Sequence, residues 1–143
     1  MIGQIRQLKQ ADEDPIYDIA LAAIVPVWSK KEYGFFLNQP GSFCWGIEDS
    51  RGLASFVLAL RTGNEVDIVT IATRTDVQRK GLGCELLKSV LEKPGIEGAF
   101  LEVDPTNEPA VKLYLKMGFS VMGLRKKYYQ GKKDAWVMKW KRP

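Results

Sequence analysis

The chain contains no histidine. That absence removes Ser-His and Cys-His nucleophile pairs and any His-bearing zinc site, so a general base has to be a carboxylate, a tyrosine, a lysine or a water molecule. Cysteine is scarce as well, with Cys44 and Cys84 the only two. Their separation matches neither a metal-ligand spacing nor a disulfide framework, so both are expected as reduced, buried small side chains, and no metal is expected. No apolar run approaches the roughly 20 residues that a membrane-spanning helix needs. The N-terminus also lacks a basic segment followed by an apolar stretch and a small-residue cleavage site. The expectation is a cytoplasmic protein with no membrane contact. Excess charge is small too: 21 basic against 17 acidic residues give a net +4. Basic residues cluster only at Arg125-Lys126-Lys127 and at Lys139-Trp140-Lys141-Arg142. That argues against direct nucleic-acid binding and suits an anionic small molecule better.

What the chain does have is enough length and apolar content for one core. Its 143 residues, 45% apolar and 27% charged, form a single expected domain over residues 1–143, able to bury roughly two-thirds of its unfolded surface. A short strand over residues 2–8 precedes a helix beginning at Asp14-Pro15, where Ile16, Ile19, Ala20 and Ala23 fall at helical spacing. Ser29-Lys30-Lys31-Glu32 has the capping-box pattern and predicts a second helix over residues 30–37. Residues 43–47 and 53–60 read as a hairpin. Residues 66–73, apolar at both alternating positions, read as a strand covered on both faces. Gly83, Leu86, Leu87 and Val90 then mark a helix stopped by Pro94-Gly95, and residues 99–103 a strand. Ala110, Leu113, Tyr114 and Met117 mark another helix, and residues 119–124 and 135–140 are closing strands. The predicted order is β-α-α-β-β-β-α-β-α-β-β, an α/β (α+β) unit without repeats.

The most informative segment is Gln78-Arg79-Lys80-Gly81-Leu82-Gly83, lying between an apolar strand and a helical pattern. Backbone N–H groups at a helix start are unpaired, and the helix dipole adds partial positive charge, so a pyrophosphate can be held there mainly by backbone. Glycines let the main chain approach the anion, with Arg79 and Lys80 adding charge at the rim. A plain strand-to-helix turn with two solvated cations fits the same residues. The turn lacks the Lys-Ser/Thr of a nucleotide P-loop and the third glycine of a dinucleotide fingerprint.

Taken together, Ile71-Ala72-Thr73, Gln78 to Gly83, Leu101-Glu102-Val103, Asn107, Ala110, Leu113-Tyr114 and Gly118-Phe119 resemble the GNAT acetyltransferases in order and spacing. Arg125-x-x-Tyr128-Tyr129, Asp134-Ala135-x-x-Met138 and Pro26-x-Trp28-Ser29 are similar to the RimI-type ribosomal-protein alanine acetyltransferases within that family. The resemblance implies a mixed six- to seven-stranded sheet flanked by about four helices, with two central parallel strands splayed apart. It implies acetyl-CoA as co-substrate, held by Ile71, Ala72 and Thr73, by Arg79, Lys80, Gly81, Leu82, Gly83 and Cys84, and by Asn107. It further implies Glu102 as general base and Tyr114 as general acid, with Trp28, Arg125, Tyr128 and Tyr129 at the acceptor. The implied acceptor is a protein N-terminus, that of a ribosomal protein beginning with alanine, and the implied state is a monomer or weak dimer. A small amine as acceptor, or a module that binds acyl-CoA without turnover, are the competing readings.

Duller roles fit several of these residues. Glu102 also fits a solvated strand-end carboxylate, Tyr114 a core tyrosine, Asn107 a helix N-cap, and Tyr128 and Tyr129 edge-strand aromatics. The sequence departs from the subfamily at Asp104, where an arginine usually follows Leu-Glu-Val, so a charge is reversed near the expected acceptor site.

Overall fold

The computed structural model describes residues 3–24, 27–126 and 134–143. Seven strands form one sheet in the order β1-β2-β3-β4-β5-β7-β6: β1 Ile5–Gln7, β2 Trp45–Asp49, β3 Gly52–Thr62, β4 Glu65–Thr73, β5 Gly98–Val103, β6 Ser120–Arg125 and β7 Ala135–Lys141. Among the described residues four α-helices accompany it: α1 Glu13–Ala23, α2 Lys30–Asn38, α3 Leu82–Leu91 and α4 Glu108–Lys116. This element order is the one the sequence predicts. No helix among the described residues is long and apolar enough to cross a membrane.

Local signals account for the helix starts. The Ser29 hydroxyl accepts from the Glu32 amide at 3.2 Å and the Glu32 carboxylate accepts from the Ser29 amide at 2.9 Å, so the predicted capping box forms. In α1, Ile16, Ile19 and Ala20 are buried while Ala23 is exposed. Helices α1 and α2 pack Ile16, Ile19, Tyr33 and Phe36 on one face of the sheet, against Phe56, Leu58 and Ala72. Helix α3 packs Leu86, Leu87 and Val90 on the other face, with Tyr114 of α4 and Met117 just past its end beside them.

The strand covered on both faces is β3, where residues 53–59 are all buried. Full burial of each large apolar side chain there contributes about 1.5–3 kcal/mol. The sequence had assigned that role to β4, which instead alternates, with Val66 and Ile68 buried and Asp67 and Val69 exposed. A β-bulge explains the difference. Leu58 pairs with Thr70 and Ala59 with Ile68, so Val69 is the extra residue. Beyond it the faces exchange: Ile71 packs on the α3 side, while Ala72 joins the α1–α2 cluster.

Only β4 and β5 are parallel neighbours, and they pair from Glu65 opposite Gly98 to Ile68 opposite Leu101. Past that point β4 continues on β3 and β5 continues on β7, so the two parallel strands part just where the bulge bends β4. The last hairpin folds back with β7 inserted between β5 and β6, which leaves β6 as the sheet edge with every residue exposed.

Candidate active site

The gap between β4 and β5 has a helix start on one side. Beyond β4, the Arg74 guanidinium donates to both Asp49 carboxylate oxygens at 3.2 and 2.5 Å and to the Leu53 carbonyl at 3.0 Å, tying the strand end to the β2–β3 hairpin. It also pairs with Asp76 at 2.6 Å, and these bonds hold the Asp49 and Asp76 carboxyls below their ordinary range. Gln78 then donates its side-chain amide to the Thr73 carbonyl at 3.1 Å. The motif contained Gln78, but sequence reasoning gave it no task; nothing in the sequence pointed to Arg74.

Arg79 has φ 65° and is the one non-glycine with positive φ among the described residues; Gly81 follows with φ 82°. Left-handed residues thus stand on both sides of Lys80, and alternation of left- and right-handed residues is how a backbone forms an anion nest. Gly81 is the N-cap of α3 and no side chain caps the helix, so the amides of its first turn are left for a ligand. Arg79 and Lys80 are exposed, and neither forms an ion pair with a described residue.

Two of the residues expected to hold a cofactor offer only their backbone. Leu82 is buried in the core, and Cys84, half-buried rather than buried, places its sulfur 3.4 Å from that of Met117. A Cβ at Gly83 would meet Ile71 at 3.8 Å and Thr73 at 4.0 Å, so the first turn of α3 lies against the end of β4. The expected cofactor residues of β4 and of α3 therefore form one surface. Asn107 caps α4, accepting from the Ala110 amide at 3.4 Å. Asp104 accepts from the Thr106 amide and hydroxyl at 2.9 and 2.8 Å, a turn that opens this loop.

Glu102 and Tyr114 reach the gap from opposite faces. Leu101 and Val103 pack in the α3–α4 cluster, so Glu102 between them points to the α1–α2 face, whereas Tyr114 packs in the α3–α4 cluster itself. The sheet stands between the two side chains, and the parted strands are the opening through it. Tyr114 packs against Phe119 with the rings tilted by 59° and their centroids 5.8 Å apart, and burial pushes its hydroxyl up to about 12. Its hydroxyl forms no hydrogen bond with a described residue.

On the α1–α2 face, Arg125 at the end of β6 bonds Glu102 at 2.5 Å. Asp67 of β4 lies on the same side, its carboxyl raised by partial burial and then by the charge of Glu102. Sequence reasoning had left Asp67 unassigned, because only the parallel register places it opposite Phe100. Trp28 packs on Tyr33 and Phe36, with ring centroids 5.1 and 5.6 Å away, and belongs to the aromatic cluster of α2. Tyr128 and Tyr129 lie outside the described residues. No cluster of metal-ligating side chains occurs among the described residues.

A sheet parted between parallel strands, beside an uncapped helix start, is the architecture that the resemblance to acetyltransferases implies, and the comparisons with known proteins agree. The model of the acetyltransferase (GNAT) family matches residues 13–119, and the chain belongs to that family. It is similar to the [ribosomal protein bS18]-alanine N-acetyltransferase of Escherichia coli K12, with 32% identity over 96% of each chain. An N-alpha-acetyltransferase of Saccharolobus solfataricus is 35% identical over 96% of this chain and 83% of its own. The crystal structure of the Escherichia coli ribosomal-protein-S18-alanine N-acetyltransferase superposes with a TM-score of 0.89 at 29% identity, covering 99% of this chain and 94% of that one. The chain is thus a GNAT-type N-acetyltransferase.

Proposed function

We propose that this enzyme transfers the acetyl group of acetyl-CoA to a protein N-terminal α-amine, with the N-terminal alanine of a ribosomal protein as its preferred acceptor. The observation that carries this reading is the parting of β4 and β5 with Glu102 on one face and Tyr114 on the other. Similarity to the alanine acetyltransferases over nearly the whole chain supports the choice of acceptor.

The residues present fit acetyl-CoA. The amides at the start of α3, with Arg79 and Lys80, suit the pyrophosphate, and Asn107 supplies a further polar contact at the start of α4. Past Ile68, the edge of β4 facing β5 has lost its strand partner, so the backbone around Ile71, Ala72 and Thr73 can pair with the pantetheine amides and polarise the thioester carbonyl. Entering from the α3–α4 side, the thioester meets an acceptor amine from the α1–α2 side in the gap.

An α-amine has a pKa near 8 and is largely protonated at neutral pH, whereas only the free amine attacks a thioester. Glu102, exposed on the acceptor face, takes that proton directly or through water. Attack forms the new C–N bond, and breakage of the C–S bond releases a thiolate on the Tyr114 side. Burial pushes the Tyr114 hydroxyl up to about 12, so it stays protonated through the working range; it gives its proton to the sulfur as the C–S bond breaks, and the proton that the amine nitrogen sheds on becoming an amide restores the hydroxyl. Trp28 and Arg125 are the described residues that this reading sets along the acceptor's approach.

The test is to supply acetyl-CoA together with alanine-initiated peptides, peptides beginning with other residues, a polyamine and an aminoglycoside, and to follow CoA release and product mass. The alanine peptides should react fastest. Transfer confined to the small amines would overturn the peptide acceptor, and CoA binding without transfer to any amine would overturn catalysis.

A further inference from the structure

We propose that Arg125 is a positioning residue for the proton-transfer step, fixing the Glu102 carboxylate at the rim of the gap between β4 and β5. The proposal rests on the reading of Glu102 as the base. Glu102 lies near the end of β5 and Arg125 at the end of β6, with β7 between them. The register sets Glu102 opposite Val137 and Arg125 opposite Ala135, so the guanidinium reaches diagonally across a whole strand to place Nη1 2.5 Å from the Glu102 carboxylate.

Stability gives little reason for that reach. The two side chains are 64% and 34% exposed, and ion pairs of this kind contribute little to folding. Orientation gives a better one. A glutamate at the solvent face of a strand spreads over several rotamers unless a partner holds it. On the β4 side stands Asp67, whose carboxyl is raised partly by the negative charge of Glu102. Asp67 sits opposite Phe100, the residue two before Glu102, so the two carboxylates are diagonal neighbours on one face and repel, and a guanidinium on the far side of Glu102 offsets that repulsion. The contact is made through a single guanidinium nitrogen, so what it requires is a cation at that point more than a planar fork.

Kinetics of Arg125→Ala, Arg125→Lys, Glu102→Gln and the double variant Arg125→Ala/Glu102→Gln test this, using the full chain and whichever acceptor of the panel above the parent acetylates fastest. Arg125→Ala should lower kcat by about tenfold or more, toward the roughly 100-fold that a 1 Å misplacement can cost, and change KM less. Arg125→Lys should recover most of the loss. With Glu102 already replaced by Gln, removing Arg125 should have no further effect, because both changes act through one carboxylate. A change in KM alone, equal in both backgrounds, would overturn the proposal and make Arg125 an acceptor contact with no hold on the base. A rise in kcat would overturn it too, since the guanidinium would then be holding the carboxylate away from the gap. Parental turnover by Glu102→Gln would refute the base itself, whereas a slow Glu102→Gln with additive loss from Arg125→Ala would refute the positioning role alone.

Discussion

The two sides of the gap between β4 and β5 are built from different materials. On the α3 side the working parts are backbone: positive φ at Arg79 and Gly81 and a helix start without a side-chain cap. On the α1–α2 side, where we propose that the acceptor enters, they are side chains drawn from three strands, Asp67 of β4, Glu102 of β5 and Arg125 of β6. A backbone site survives the loss of a side chain and fails when its conformation changes. A side-chain site does the opposite, and substitutions can separate the two.

The largest effect should come from Glu102→Gln, which keeps shape and removes basicity. Turnover should fall by roughly 10²- to 10⁴-fold, the range for a lost general base, with acetyl-CoA affinity unchanged by titration calorimetry. Raising the pH from about 7 to 9 should recover part of the loss, because an amine with pKa near 8 deprotonates in solution over that range. Unchanged turnover would show Glu102 to be a structural carboxylate.

Tyr114→Phe should slow turnover by about 100-fold, as expected for loss of a general acid, while the ring keeps its packing on Phe119. It has a second signature in alkali. Burial raises the hydroxyl from 10.0 to about 12, so the folded state retains this proton where the unfolded chain has lost it. The associated stability is complete below pH 10 and is lost as pH rises toward about 12. Denaturant melts of the Phe variant should therefore lack that part of the alkaline decline.

On the backbone side, Gly81→Val places a β-branched residue at φ 82°. Strain of this kind costs about 1–3 kcal/mol, so acetyl-CoA affinity should fall on the order of 10- to 100-fold as the turn relaxes, with kcat at saturation affected less. Gly83→Ala should leave folding intact, since its Cβ would meet Ile71 and Thr73 at 3.8 and 4.0 Å, ordinary contact distances. The two glycines, alike in sequence, thus differ in what they require. The smallest effect should be that of Arg79→Ala. Losing one exposed cation while the amides remain should weaken binding by roughly two- to fivefold, and high salt should erase the difference. Equal sensitivity to Arg79→Ala and Gly81→Val would mean that side-chain charge, not main chain, holds the anion.

Much of the local structure on both faces was legible in the sequence because its determinants are contiguous. The capping box at Ser29 and Glu32, the Asn107 cap and the glycine turn before α3 are each set within a few residues, where backbone geometry and local hydrogen bonds decide. The element order followed from apolar periodicity for the same reason. Periodicity misled at β4, where apolar residues at both alternating positions suggested two buried faces. The bulge at Val69 instead exchanges the faces partway along the strand, and residue types alone do not show where a ladder slips.

What the sequence determined by itself is therefore the set of elements, the helix start that suits a phosphate, and, with no histidine in the chain, the restriction of the base to a carboxylate, a tyrosine, a lysine or water. Tertiary structure decided where β4 and β5 part, that Glu102 and Tyr114 face the opening from opposite sides, and that Arg125 meets Glu102 across β7. The physical reason is one of range. Caps and turns are fixed by neighbours along the chain, whereas register, strand order and charge pairing across a sheet are fixed by the packing of segments far apart in sequence, and a shift of one residue in any strand would send its side chains to the other face.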